Sequence, residues 1–312
     1  MSNPLFSIGA LVSGCLLGFV LMAPPAQAET ATEATTNGPA SETTAAAAAE
    51  ITIEHGKINT EDASPVDPGH YEIEPSFSFT RATRSWDSSG HSQDRGLLRE
   101  QNIGLTVTVG VFENLDIAVS GGYSWLRDDD NNFDENAGIM GPFTGNGLTD
   151  MEVSGRYRFY NNQEQHLEIA YIGGVILPTG TSSDQDEIGT SQEFWSINQT
   201  LVASKDWDRL TLNGDIGFAL PIGGKRQNAR GTLNLDLALG YQVLPWLQPE
   251  VELNYSHDYV EDESDAQTLA VTAGLVMPIN EMLRVNIGVQ QGVWGENADQ
   301  ATTLYAAVKF AF

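Results

Sequence analysis

The sequence predicts an all-β chain folded as a transmembrane antiparallel up-and-down β-barrel of about 12 strands. Three observations point there. Apolar and polar residues alternate with period two in segment after segment from Tyr71 to Phe312, the segments are long, and the links between them alternate between short and long. Period two is the mark of a strand with two different faces. Some eleven residues at about 3.3 Å each, tilted by about 45°, rise roughly 25 Å, the height of an outer-membrane apolar band. Soluble strands usually run about 5 to 6 residues.

Residues 1–28 read as an export signal. Pro4 to Ala23 is a nearly unbroken run of apolar and small residues, and Ala26-Gln27-Ala28 forms an A-x-A-type cleavage site before Glu29. The leading MSNP departs from the usual pattern in carrying no Lys or Arg. Val12-Ser13-Gly14-Cys15 also resembles a lipoprotein box with Cys15 as the lipidated residue, but Leu16 to Met22 would then be an unusually apolar start, so cleavage after Ala28 is favoured. Cys15 is the single cysteine of the 312 residues, so the chain after Ala28 can form neither a disulfide nor a cysteine metal site.

The formal charge of -27 falls wholly after residue 28, since residues 1–28 contain no Asp, Glu, Lys or Arg. Such acidity argues against nucleic-acid binding and against electrostatic attachment to anionic lipid headgroups. Residues 29–68 follow as an expected flexible, low-complexity periplasmic tether. ETATEATTNGPASETTAAAAAE is nearly free of large apolar residues, and Pro65 and Pro68 interrupt regular structure. The barrel is expected over residues 69–312.

The predicted strands lie near 70–81, 99–111, 115–126, 148–160, 166–177, 193–204, 209–220, 231–243, 247–257, 267–278, 282–294 and 302–312. In the first, Tyr71, Ile73, Phe77 and Phe79 oppose Glu72, Glu74, Ser76 and Ser78; in the eighth, Leu233, Leu235, Leu237 and Leu239 oppose Asn234, Asp236 and Gly240. Tight links such as Phe112-Glu113-Asn114 and Leu244-Pro245-Trp246 alternate with long polar ones such as 82–98, 127–147 and 178–192. Short turns on one rim and long loops on the other, with an even strand number, match a membrane barrel.

The apolar face should meet lipid, because a Lys or Arg at the lipid-facing midplane costs about 2 to 4 kcal/mol. The expected lumen lining is then Glu72, Glu74, Asp116, Asp150, Glu152, Arg156, Arg158, Glu168, Asp215, Asp236, Glu250, Glu252, Arg284 and Lys309. These charges of both signs allow two readings, side chains that pair and fill the interior or a polar passage. About twelve strands falls between filled eight-stranded barrels and wide porins, so size leaves both open.

Gly147 to Tyr160 (GLTDMEVSGRYRFY) and Val175 to Thr181 (VILPTGT) resemble the outer-membrane family described as "Putative MetA-pathway of phenol degradation", through Gly147, Asp150, Tyr157, Pro178, Thr179 and Gly180. The resemblance implies an outer-membrane barrel, a channel or transporter for diffusion of small aromatic or hydrophobic molecules, and supplies no catalytic residues. The alternative is a structural or interaction barrel with a plugged interior and acidic extracellular loops. Expected partners are the lipid and lipopolysaccharide of a Gram-negative outer membrane, the barrel insertion machinery and a small solute.

Other constellations read as rim structure. The acidic stretch 128–135, with Asp184, Asp186, Glu187 and residues 261–265, offers oxygens to Ca²⁺ but lacks the glycine and spacing of an EF-hand. Ser256, His257 and Asp258, with His166, are the catalytic alternative, yet neighbouring residues of a strand point to opposite faces and a nucleophile needs its base within about 3 Å. No enzyme, metal or cofactor is expected. The final LYAAVKFAF should present Leu304, Ala306, Val308, Phe310 and Phe312 to lipid and close the cylinder against 71–79, with Phe312 as the assembly signal.

Overall fold

A computed structural model describes residues 57–129, 142–183, 187–226 and 228–312. The export signal, residues 29–56 of the expected tether, Asp184, Asp186 and most of the acidic stretch 128–135 lie outside them. Among the described residues there are thirteen strands: β1 Tyr71–Trp86, β2 Ser92–Phe112, β3 Leu115–Asp128, β4 Phe143–Leu148, β5 Met151–Asn162, β6 Leu167–Leu177, β7 Phe194–Trp207, β8 Leu210–Gly224, β9 Ala229–Tyr241, β10 Gln248–Val260, β11 Ala266–Asn280, β12 Leu283–Glu296 and β13 Ala298–Ala311. Each pairs antiparallel with its neighbours, β1 pairs with β13, and β2 pairs with β3, so the sheet closes on itself. Closure satisfies the backbone groups that lipid cannot serve.

The thirteen strands make twelve staves, because β4 and β5 share one. β3 pairs over Tyr123–Asp128 with β4 and over Leu115–Ser120 with β5. Leu148 faces Tyr123 while Val153 faces Val119, so this stave carries one more residue than β3 over the same span. An extra residue of this kind bends the strand and re-aims a side chain; here the Thr149 amide still donates to the Gly122 carbonyl at 2.9 Å, while Asp150 is left outside the paired register.

Strands also run beyond the expected segments on the long-loop side. Of the expected link 295–301, Asn297 alone lies outside strand, with φ 48°, a left-handed conformation that Asn tolerates better than most residues. The alternation fades there because wall that stands above lipid needs no apolar face, while its backbone still pairs. The short links, such as those from Phe112 to Leu115 and from Trp207 to Leu210, gather at the opposite rim.

The distribution of side chains is inverted relative to a soluble protein. Ile103, Ile117, Leu201, Leu237, Val251 and Leu304 are exposed on the outer face, whereas Asp116, Asn213, Glu252 and Thr272 are buried inside. The buried apolar cluster is small, Ala63, Ala170 and Val202 with Ile172 against them. Polar contacts, not apolar packing, therefore organise the interior. At the seam, Tyr71 and Phe312 exchange both backbone hydrogen bonds, at 3.1 and 3.0 Å.

Candidate functional site in the barrel lumen

Residues 57–68, expected to belong to the tether, run along the inner wall near the short-turn rim and touch most staves in succession. They are held by donation from their own backbone to inward side chains. The Ile58 and Asn59 amides donate to Glu252 Oε1 at 3.0 and 3.1 Å, and the Thr60 amide reaches it at 3.4 Å. The Glu61 amide donates to Asp215 Oδ2 at 3.0 Å, that of Ala63 to Ser204 Oγ at 2.9 Å, and that of Val66 to Asp116 Oδ2 at 3.0 Å. Ser64 Oγ donates to Glu168 Oε2 at 2.7 Å, and Asn286 Nδ2 donates to the Lys57 carbonyl at 3.0 Å. No regular ladder joins this segment to the sheet, so wall carboxylates do the work that a neighbouring strand would do.

Three glycines admit it. A Cβ on Gly110 would stand 1.9 Å from the Asp67 carbonyl oxygen, and one on Gly274 or Gly288 would stand 2.4 or 2.9 Å from Ile58 Cδ1. A larger residue at Gly110 would clash with the segment backbone and push it off the wall, whereas at Gly288 it would displace the end of the Ile58 side chain.

Ion pairs consume the basic groups of the lining. Lys57 pairs with Glu250 at 3.3 Å, and Arg156 reaches Glu61 at 3.2 Å and Asp62 at 3.3 Å while donating to the Ser64 carbonyl. Arg158 pairs with Glu168 at 2.8 Å. Lys309 and Arg284 are register partners, two cations side by side, answered by Glu72 at 2.6 Å from Lys309 and by Glu74 at 3.9 and 3.8 Å. Higher up, Arg95 is clamped between Asp128 and Asp299.

Seven carboxyl groups are left without a basic partner, Asp215 and Asp236 sharing a hydrogen bond with each other and Glu252 with Glu250. Among the described residues none of Glu100, Asp116, Glu152, Asp215, Asp236, Glu252 and Asp258 has a basic nitrogen within 4.0 Å. Glu152 accepts from Asn198 at 2.9 Å, Asp236 from Asn254 at 2.8 Å, Asp258 from Thr232 at 2.6 Å and Glu100 from Ser124 at 3.4 Å. Asp215 and Asp236 are directly opposite each other in the β8–β9 register, an arrangement that is unfavourable for like charges.

Asp150 has a different place from the rest of the expected lining. Freed by the break between β4 and β5, its carboxylate accepts from the Gly180 amide at 2.9 Å, Ser191 Oγ at 2.6 Å and the Gln192 amide at 2.8 Å. It ties the two ends of the 178–192 loop to the wall. Ser256, His257 and Asp258 do not converge: Asp258 accepts from Thr232, while His257 lies 3.0 Å from Asp265 and stacks on Tyr259 with centroids 4.2 Å apart. His166 sits in the β5–β6 turn with φ 48°. Phe312 stacks on Tyr71 with centroids 5.2 Å apart.

Lys57, Asn59, Glu61, Asp62, Ser64, Glu100, Ser204, Asn213 and Asn286 were not among the expected lumen residues. Their signal lay in the strands, where inward carboxylates outnumber inward cations near the short turns and so call for donors from elsewhere.

Comparison with solved structures places the fold among outer-membrane barrels. The outer membrane channel COG4313 of Pseudomonas putida F1 superposes with a TM-score of 0.68 at 10% identity, covering 82% of this chain and 100% of that one. The KdgM porin gives a TM-score of 0.43 at 12% identity over 76% of this chain and 99% of that one. A TodX monoaromatic hydrocarbon channel mutant gives 0.41 at 9% over 79% and 90%. Among curated proteins, none matches the sequence. The family described as "Putative MetA-pathway of phenol degradation" matches residues 102–310, two thirds of the chain and most of the barrel wall, and the protein belongs to that family.

Proposed function

We propose that this protein is a narrow outer-membrane channel, without covalent chemistry, through which small solutes diffuse past a constriction formed by residues 57–68. The observation that carries this reading is how that segment is held. Its amides rest on separate wall side chains, Glu252, Asp215, Ser204 and Asp116, with no strand partner, so it can shift along or away from the wall without opening the sheet. A plug built into the ladder would not have that freedom. Location in a Gram-negative outer membrane, contact with its lipid and lipopolysaccharide, and delivery by the barrel insertion machinery belong to the same proposal.

Passage of aromatic or otherwise poorly polar molecules is favoured by one feature, the inward patch of Ala170, Ile172 and Val202 beside Ala63. The test for the channel is conductance of the purified chain in planar bilayers, with and without residues 57–66. Current steps that grow when the segment is removed support the reading. Silence from both proteins at all voltages overturns it and favours a barrel whose acidic loops are the working surface.

A further inference from the structure

We propose that the lumen selects small cations, inorganic or organic, over anions of similar size. This rests on the channel reading above and names the solute class that the lining favours. Its basis is an imbalance inside the barrel. Lys57, Arg156, Arg158, Arg284, Lys309 and Arg95 each stand in ion pairs with wall or segment carboxylates. Glu100, Asp116, Glu152, Asp215, Asp236, Glu252 and Asp258 have no basic nitrogen within ion-pair distance among the described residues; their partners are amides, hydroxyls and, for Asp215 with Asp236 and Glu252 with Glu250, another carboxyl group.

These seven are spread through the depth of the barrel. Asp116 and Glu252 lie near the short turns, Asp215 and Asp236 stand higher, Glu152 and Glu100 higher again, and Asp258 lies close to the long loops. A permeating cation would therefore meet carboxyl groups without basic partners at successive levels, as charged rings provide in cation-selective pores. Water in a narrow lumen screens such charges weakly, because the wall around it has low polarizability.

At the long-loop rim Glu261 pairs with Arg230, Asp94 with Arg84 and Asp129 with Arg127, so the imbalance of sign belongs to the lumen.

The experiment uses the full chain in planar bilayers with a tenfold KCl gradient. The expected potassium-to-chloride permeability ratio exceeds about threefold, in line with a lumen of fixed negative charge. Replacing potassium by tetramethylammonium should preserve current, and replacing chloride by gluconate should hardly change it. Asp236→Asn, which keeps shape and removes charge at a side chain that does not hold the segment, should lower the ratio by at least about half while the current steps persist. Glu152→Gln serves as a second, independent variant, and heat-modifiable gel migration confirms that each barrel has folded. Current with a ratio at or below one, or a ratio untouched by both substitutions, overturns cation selection and leaves the channel intact. Absence of current in the native chain overturns the channel reading and this inference together.

Discussion

Lys57 Nζ stands 3.3 Å from Glu250 Oε2, with side-chain exposures of 2% and 0%, and so fixes the leading end of the lumen segment to β10. A buried pair is weak evidence for stability, but losing one partner leaves an uncompensated charge at a cost of about 3 to 5 kcal/mol. Here the cost can be escaped without unfolding the barrel, because the segment can leave and water can enter. Lys57→Met should therefore act on the segment: proteolytic cleavage within residues 57–68 should rise by at least about tenfold while the barrel resists as before. Lys57→Met combined with Glu250→Gln should recover much of the protection. Equal cleavage of native and variant chains would show that the pair does not anchor the segment.

Asp150 makes a second anchor, on the opposite rim. A carboxylate accepting two backbone amides and a hydroxyl is held by charge-assisted hydrogen bonds, each worth about 1.5 to 3 kcal/mol. Asp150→Ala should remove the tie between the β4–β5 break and the loop. Hydrogen exchange at the Gly180 and Gln192 amides should accelerate by about tenfold or more, with exchange in β10 to β13 unchanged. Protection retained at both amides would mean that the Leu148 carbonyl contacts of Thr181 and Thr190, at 3.0 and 2.5 Å, hold the loop by themselves.

The sequence shows the staves plainly and the lumen poorly, for one physical reason. Lipid imposes apolar residues on alternate positions, so Leu233 to Leu239 or Leu283 to Val289 announce both a strand and its orientation. Nothing imposes a pattern on wall beyond the lipid. β4, FTGNGL, is rich in Gly and Asn and carries no alternation; it forms because the upper part of β3 offers an edge to pair with. Residues 57–68, KINTEDASPVDP, have the composition of a linker. They are ordered by their backbone amides, which every sequence but proline supplies, and the selectivity lies in Glu252, Asp215 and Asp116 across the lumen. The hydrogen bonds of Asp150 to the 178–192 loop are hidden for a related reason, since strand parity carries no information at a break in the stave.

Asp265 gives the long-loop rim a pH dependence. The Val260 amide, 3.0 Å from its Oδ1, is the main cause holding its carboxyl below the usual range, followed by the hydrogen bond to His257 at 3.0 Å. A carboxyl depressed in the folded state contributes stability that is complete above its unfolded value of about 3.9. That contribution fades as pH falls through the lower folded value. The protection factor of the Val260 amide should stay level from neutral pH down to about pH 4 and drop below it, and Asp265→Asn should abolish the step. A Val260 protection factor that is flat through the acid range would separate the loop from this carboxylate.

Tyr71 and Phe312 join the first and last staves with two backbone hydrogen bonds and a ring stack tilted by 20°. An aromatic pair of this kind contributes about 0.5 to 1.5 kcal/mol beyond the area it covers. The backbone bonds survive a side-chain change, so Phe312→Ala should lower the unfolding free energy of the assembled barrel in urea by about 1 kcal/mol, and Tyr71→Ala by a similar amount. Because both lose the same contact, the double variant should fall short of the sum. The ring has a second proposed role, as the aromatic group recognised during membrane insertion, and the two roles respond differently. A purely structural ring predicts that membrane levels of Phe312→Ala follow the modest loss of stability and that Phe312→Tyr restores both. Levels that collapse while the refolded barrel unfolds at nearly the native urea concentration would assign the ring to assembly.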